Sequence, residues 1–154
     1  MKNCNDGFNP CVFRFWASIS TLATLKYLHF ILSQSITMPL LELRTNQTHD
    51  KEKVKMLSAK FSRFCSEILA KPEHYVMVNL QVGQSLVFAG TDDPAAFAEL
   101  RSIELSANET SSLSSQLCSF ASEQLDIPTD RIYISFVDVD RNRWGWNGKT
   151  FGSS

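Results

Sequence analysis

The chain has 154 residues, enough for one domain with a true hydrophobic core, and 44% hydrophobic with 20% charged residues is a globular rather than a disordered composition. Fifteen basic residues against sixteen acidic ones give a formal net charge of −1, which excludes a broad nucleic-acid surface but allows a local cationic pocket. Cys4, Cys11, Cys65 and Cys118 form no C-x-x-C pair, so a zinc knuckle and a dithiol are both unsupported, and the last two read as small buried hydrophobes.

Residues 1–37 read as a separate N-terminal extension. Asp6 is the only acid among them, against Lys2, Arg14 and Lys26, and Ser and Thr are frequent. The uncharged apolar run 15–25 is shorter than the roughly 20 residues a membrane span needs. Three readings stay open: a signal peptide with a weak Ser33-Gln34-Ser35 cleavage site, an acid-poor transit peptide, or a mis-called start upstream of Met38. The choice matters because Pro39 follows Met38. A chain that begins at Pro39 has a free secondary amine there; a chain that retains Met38 has an amide at the same nitrogen.

From Pro39 to Arg44 the alternation predicts a short strand with Leu41 and Leu43 on one face. Asp50 is a good helix N-cap, and the helix after it carries Val54, Leu57, Phe61, Phe64, Cys65, Ile68 and Leu69 on one stripe. Lys71-Pro72 ends that helix, because the residue before proline is pushed out of the α region. Tyr75 to Val82 reads as a buried strand, and Gly83-Gln84 turns the chain into a second short strand at 85–89.

Propensity alone makes 95–105 helical. Ser106 and Glu109 have the spacing of a capping box, and a helix from about Asn108 to Leu125 carries Leu113, Leu117, Phe120, Ala121 and Leu125 on one face. Arg131 to Asp138 is the strongest strand pattern, and Trp144 to Gly148 reads as a turn between short aromatic strands.

The two halves echo each other. Pro72-x-x-Tyr75-Val76-Met77-Val78 matches Pro128-x-x-Arg131-Ile132-Tyr133-Ile134, each after an amphipathic helix that follows an apolar segment. The expected fold is therefore α/β of the α+β kind: a tandem β-α-β repeat, with a four-stranded mixed sheet and two helices on one face. By that symmetry Phe97 to Leu105 is a strand answering Pro39 to Leu43, against its propensity. The other sheet face needs cover, which an oligomer would supply.

These residues resemble the macrophage migration inhibitory factor and D-dopachrome tautomerase group of the tautomerase superfamily. The resemblance runs from Met38 to Phe151. It rests on Met38-Pro39 opening a strand, Lys71-Pro72 with Tyr75, Pro94 with Leu100-x-Ser102-Ile103, Pro128-x-x-Arg131-Ile132-Tyr133-Ile134, and Gly145-Trp146-Asn147 with Thr150-Phe151. Each piece is weak alone; all of them in order are specific. The resemblance implies a homotrimer whose sheets wrap a central channel, with residues 38–154 as the tautomerase-like domain.

It also implies a cofactor-independent keto–enol tautomerase acting on a small aromatic α-keto acid or a dopachrome-like substrate. Proton transfer between carbon and oxygen needs a base whose pKa lies near the working pH. A free α-amine starts at about 7.7–8.0, and burial with a nearby cation lowers it further. Pro39 is then the catalytic base, Lys71 holds the substrate carboxylate, Ile103 offers its backbone N–H, and Tyr133 reaches in from a neighbouring subunit. Ser135 stands where the family has an asparagine, and Trp144 where it has a smaller apolar residue. The C-x-x-C motif of the cytokine branch is replaced by Ala95 and Ala98, so thiol–disulfide activity is not expected. The alternative reading is a cytokine-like binding protein with a silent pocket and a cell-surface receptor.

His29, His49 and His74 lack metal-ligand spacing, and no Gly-rich phosphate loop is present. No metal, cofactor, nucleic acid or membrane span is expected. The expected location is the cytoplasm, with secretion lacking a conventional signal and organelle targeting by residues 1–37 left open. Asn46 and Asn108 open glycosylation sequons that matter only on a secretory route.

Overall fold

Residues 38–153 are described by the structure, a computed structural model. The readings of residues 1–37, including Cys4, Cys11 and His29, lie outside the described residues. From Leu40 onward the chain runs β1 (Leu40–Thr45), α1 (Lys51–Ile68), β2 (Met77–Gln81), β3 (Ala96–Ser102), α2 (Thr110–Leu125), β4 (Ile132–Asp138), β5 (Gly145–Trp146) and β6 (Lys149–Thr150). The four long strands form one sheet in the order β2-β1-β3-β4. β1 with β2 and β3 with β4 are parallel, while the two units join antiparallel through β1 and β3. This is the mixed four-stranded α+β sheet that the repeat predicts.

Strand parity explains the core. Leu41, Leu43 and Thr45 on β1 and Ala96, Ala98, Leu100 and Ser102 on β3 are buried on the helix-covered face. Against them pack Leu57, Phe61 and Cys65 from α1 and Leu117, Ala121 and Leu125 from α2. Phe120 joins the helices, edge-on to Phe61 at 5.1 Å and stacked on Phe64 at 3.9 Å. The small residues Ala96 and Ala98 give the helices room to approach the sheet. Segment 96–102 is thus a strand, because pairing along both edges and burial of one whole face outweigh a helix preference of tenths of a kcal/mol per residue.

Each helix stops by the same device. Ala70 and Asp126 take left-handed φ values of 50° and 55°. Each is followed by a proline and a single 3-10 turn, at Glu73–Tyr75 and Thr129–Arg131, that delivers the chain to β2 and β4. At the start of α1, Asp50 Oδ1 accepts a hydrogen bond from the Lys53 N–H at 2.8 Å, as its type predicts. The tail closes as a two-stranded hairpin through Asn147 and Gly148, both at positive φ.

Three expectations need correction. The second strand expected at 85–89 is only an isolated bridge between Phe88 and Thr91, since Val87 is 69% exposed and nothing in the sheet pairs with the segment. Ser106 and Glu109 make no capping box: α2 begins at Thr110, and Glu109 gives no side-chain cap bond. Instead the Ser106 carbonyl accepts the Glu109 N–H at 3.0 Å as a turn. Cys65 is fully buried, its thiol pushed up to about 12 by burial, whereas Cys118 is half-buried and donates to the Thr129 carbonyl at 3.5 Å.

Asn46 of the first sequon is committed to structure. Its amide donates to the Asp92 and Asp93 carbonyls, both at 2.9 Å, and its Oδ1 accepts the Ala95 N–H at 2.9 Å. A glycan on that nitrogen would break the bonds that hold β3 against the β1 turn. Asn108 is exposed. Among the described residues no helix is long and apolar enough to cross a membrane.

Candidate active site

One end of the sheet gathers Pro39, Lys71 and Ile103, three of the residues that the motifs single out. Pro39 precedes β1, is less than 2% exposed, and its carbonyl accepts the Met77 N–H at 2.9 Å, which extends the β1–β2 ladder by one step. Leu40 pairs with Arg101 in the antiparallel register, so Pro39 stands level with Ser102 at the end of β3. Ile103 follows and is buried, 1% exposed. Met77 and Arg101 flank β1 on its two sides at this level, so the head of β1 is enclosed by the ends of both neighbouring strands.

Lys71 comes to the same end from the α1 terminus. Ala70 reverses the backbone, and Lys71 N–H bonds back to the Ser66 carbonyl at 3.0 Å while Ser66 Oγ donates to the Lys71 carbonyl at 2.6 Å. Both backbone groups of Lys71 are therefore satisfied within the helix end. Lys71 lines a cavity of about 410 Å³ together with Ser102, Glu104, Leu105, Glu109 and Gln116. Burial holds the Lys71 ammonium below its ordinary range, Glu104 and Glu109 oppose that, and Arg141 reinforces it.

The turn leaving β3 is pinned from β4. Val139 N–H bonds the Ser102 carbonyl at 2.9 Å, and Leu105 N–H bonds Asp138 Oδ1 at 3.0 Å. Glu104 lies between these bonds at φ +59°, and Arg141 Nη1 donates to its carboxylate at 2.8 Å. Glu104 and Arg141 are the site neighbours that motif reading missed. Their signal was too local to see: a charge directly after Ser102-Ile103, and another three residues past β4.

The remaining predicted residues are elsewhere in the subunit. Tyr133 is 65% exposed, pairs with Phe97 at the far end of β3, and contacts Phe88 with ring centroids 4.9 Å apart. Ser135 pairs with Glu99 at mid-sheet, on the face away from the helices. Trp144 is half-buried, and its carbonyl accepts the Phe151 N–H at 3.1 Å, tying the tail hairpin down. Trp146 meets Tyr75 edge-on at 5.8 Å. So Pro39, Lys71 and Ile103 share one end of the subunit, and Tyr133 and Ser135 do not join them.

Among the described residues no group of three or more His, Cys, Asp or Glu is placed to hold a metal. His49 is held below its ordinary pKa, first by burial and then by Lys53.

The family model described as macrophage migration inhibitory factor (MIF) matches residues 38–152. A macrophage migration inhibitory factor homolog of Trichuris trichiura is 36% identical over 115 residues, covering 74% of this chain and all of the relative. The crystal structure of a homologue from Prochlorococcus marinus superposes with a TM-score of 0.67 at 38% identity, covering 73% of this chain and 99% of that one. The structure of the factor from Trichinella spiralis gives a TM-score of 0.65 at 32% identity, over 72% and 98%.

Proposed function

The chain belongs to the macrophage migration inhibitory factor family, and from that premise we propose that it is a cofactor-independent keto–enol tautomerase of small aromatic α-keto acids. The observation that carries this reading is the shared end of the sheet. Pro39 heads β1 beside the Ser102–Ile103 turn, and Lys71 lines a cavity with that same turn.

The chemistry follows from the groups. In a chain beginning at Pro39 the secondary amine is free, and enclosure with a cation at the same end lowers its pKa toward neutrality. The neutral amine takes the proton from the carbon next to the substrate carbonyl. The resulting enolate carries its charge toward oxygen, and the same amine, now protonated, returns the proton to oxygen or carbon. Lys71 holds the substrate carboxylate by charge-assisted hydrogen bonding. Its depressed pKa comes mainly from burial, which leaves it thinly hydrated and open to an anion. The Ile103 backbone N–H is the second carboxylate donor.

The subunit assembles as a homotrimer in this reading. The sheet face away from the helices supports it, because it carries Glu42, Arg44, Glu99 and Arg101 as a linked ion network and Tyr133 exposed at its edge. Tyr133, Ser135 and Trp144 complete the pocket across the subunit boundary. A second reading, a binding protein of the same fold with a silent pocket, draws on Ser135, which is shorter than the family asparagine, and on the 37 residues ahead of Met38.

The test is phenylpyruvate turnover by a chain that begins at Pro39, compared with its Pro39→Gly variant and with the full chain from Met1. The expected result is turnover in the first alone, with all three proteins of the same oligomeric state. Glycine keeps a free amine but loses the fixed lone-pair direction and the secondary-amine basicity, so a loss of about 100-fold or more is expected for a misdirected base. Equal turnover by the full chain would sink the role of Pro39 as base.

A further inference from the structure

We infer that Glu104 sets the substrate affinity of the Lys71 pocket: its carboxylate competes with the substrate's for Lys71, and Arg141 restrains it. The inference rests on the tautomerase reading for its substrate, but its geometry stands on the subunit itself. Glu104 and Lys71 line one cavity of about 410 Å³, and Glu109 lines it too. An anionic ligand seeking Lys71 therefore enters a space that already holds two carboxylates. The backbone of Glu104 is fixed by its turn, since hydrogen bonds with Asp138 at the end of β4 and with Val139 just after it clamp the chain at Leu105 and Ser102 on either side.

Glu104 is also a strained choice. Its φ of +59° is a conformation that side-chain-bearing residues adopt at a cost and that glycine adopts freely. The ion pair with Arg141 does not offset that cost by much, because the two side chains are 49% and 42% exposed and such pairs contribute little. What the pair does is directional. Arg141, reaching over from the segment after β4, draws the Glu104 carboxylate to 2.8 Å. A carboxylate so engaged is a weaker counter-ion for Lys71, so the pair tunes how open Lys71 is to an incoming anion. The charges facing Lys71 are Glu104, Glu109 and Arg141, and their opposing influences on it agree with this arrangement.

The experiment uses the chain beginning at Pro39 and the variants E104Q, E104G, R141A and E104Q/R141A. Three quantities are read: kcat and KM for phenylpyruvate, the Kd of benzoate by NMR titration, and the titration of the Lys71 ammonium. Benzoate is an aromatic carboxylate that cannot enolise, so its binding needs no catalysis. E104Q and E104G are expected to lower KM and benzoate Kd about three- to fivefold with kcat held, the scale of a partly exposed charge pair. R141A is expected to raise both by a similar factor. E104Q/R141A is expected to show a smaller R141A penalty than the wild-type background does, since the part of Arg141's effect that runs through the Glu104 carboxylate is gone while its direct influence on Lys71 remains. In E104Q the Lys71 pKa is expected to fall, because a counter-ion has been removed.

Unchanged KM and Kd in both E104Q and E104G would overturn the role of Glu104. A double variant that keeps the full R141A penalty would overturn the part played by Arg141. Both failures leave the tautomerase reading intact. If no variant turns over phenylpyruvate while the benzoate and Lys71 shifts occur as stated, the tautomerase reading falls and the Glu104 competition stands. If no variant binds benzoate, both fall. E104G guards against misfolding, because glycine relaxes the turn.

Discussion

At the scale of single residues, Lys71 shows how a proposed carboxylate-binding group is set against stability. Its folded-state pKa lies below the unfolded value of about 10.4, chiefly through burial, so the folded protein binds its proton less readily than the unfolded chain does. The sign follows directly. Below the folded pKa the buried charge costs stability, and the cost is released as pH rises through the folded pKa toward the unfolded one. Lys71→Met removes the charge and keeps the length. We expect this variant to melt at a higher temperature than wild type at pH 7, with the gap narrowing near about pH 10. Thermal unfolding of the two proteins at both pH values checks it; a variant that melts lower at pH 7 would show that the Glu104 and Glu109 attractions outweigh burial. The same residue marks the limit of local reading. Lys71 before Pro72 is visible as a helix-end lysine, but the cavity it lines is built from the β3 turn and α2, remote in sequence.

At the scale of elements, the helix ends carry information that neighbouring residues hide. α1 closes with Lys71 N–H bonded to the Ser66 carbonyl across Ala70 at φ 50°, the geometry for which glycine is the usual choice. Ala70→Gly removes a left-handed penalty of about 1–2 kcal/mol and adds unfolded-state entropy worth about 0.5–1 kcal/mol, for a net gain of about 0.5–1 kcal/mol. Urea unfolding measures it, and a net loss would mean that Ala70 Cβ contributes contact at the α1 end. The element list itself was legible where two signals agreed. β1, α1, β2, α2 and β4 follow from periodicity with Pro72 and Pro128 as stops, and β3 followed from the internal repeat even though Ala, Glu and Leu favour helix. The failures came from patterns read without partners. The apolar residues around Val87 suggest a strand, but no neighbour offers a ladder, and Ser106 with Glu109 has capping-box spacing while the chain turns between them instead. Pro39, Lys71 and Ile103 were singled out because a family pattern named them; Glu104 and Arg141 were not, because a positive φ and a long-range ion pair leave no periodic trace.

At the scale of the molecule, the sheet register argues that one subunit does not make a complete pocket. Pro39 is level with Ser102, while Tyr133 is level with Phe97, five residues back along β3, which at about 3.3 Å per residue separates them by about 16 Å. A substrate of one aromatic ring does not bridge that distance. Tyr133 is 65% exposed in the subunit, which leaves it available for the proposed role in a neighbour's pocket. The consequence is a complementation test. Lys71→Ala and Tyr133→Ala homotrimers are each expected to have low turnover, since every pocket in them lacks one group. Unfolded together in equal amounts and refolded, they form mixed trimers in which some pockets draw Lys71 from a Tyr133→Ala subunit and Tyr133 from a Lys71→Ala subunit. In a cyclic trimer with random mixing about one quarter of the pockets are restored, so turnover should rise to about a quarter of the wild-type value. A mixture no more active than the mean of its parents would mean that Tyr133 serves the pocket of its own subunit or none. The register would then have to be reconciled with a site that closes within one chain.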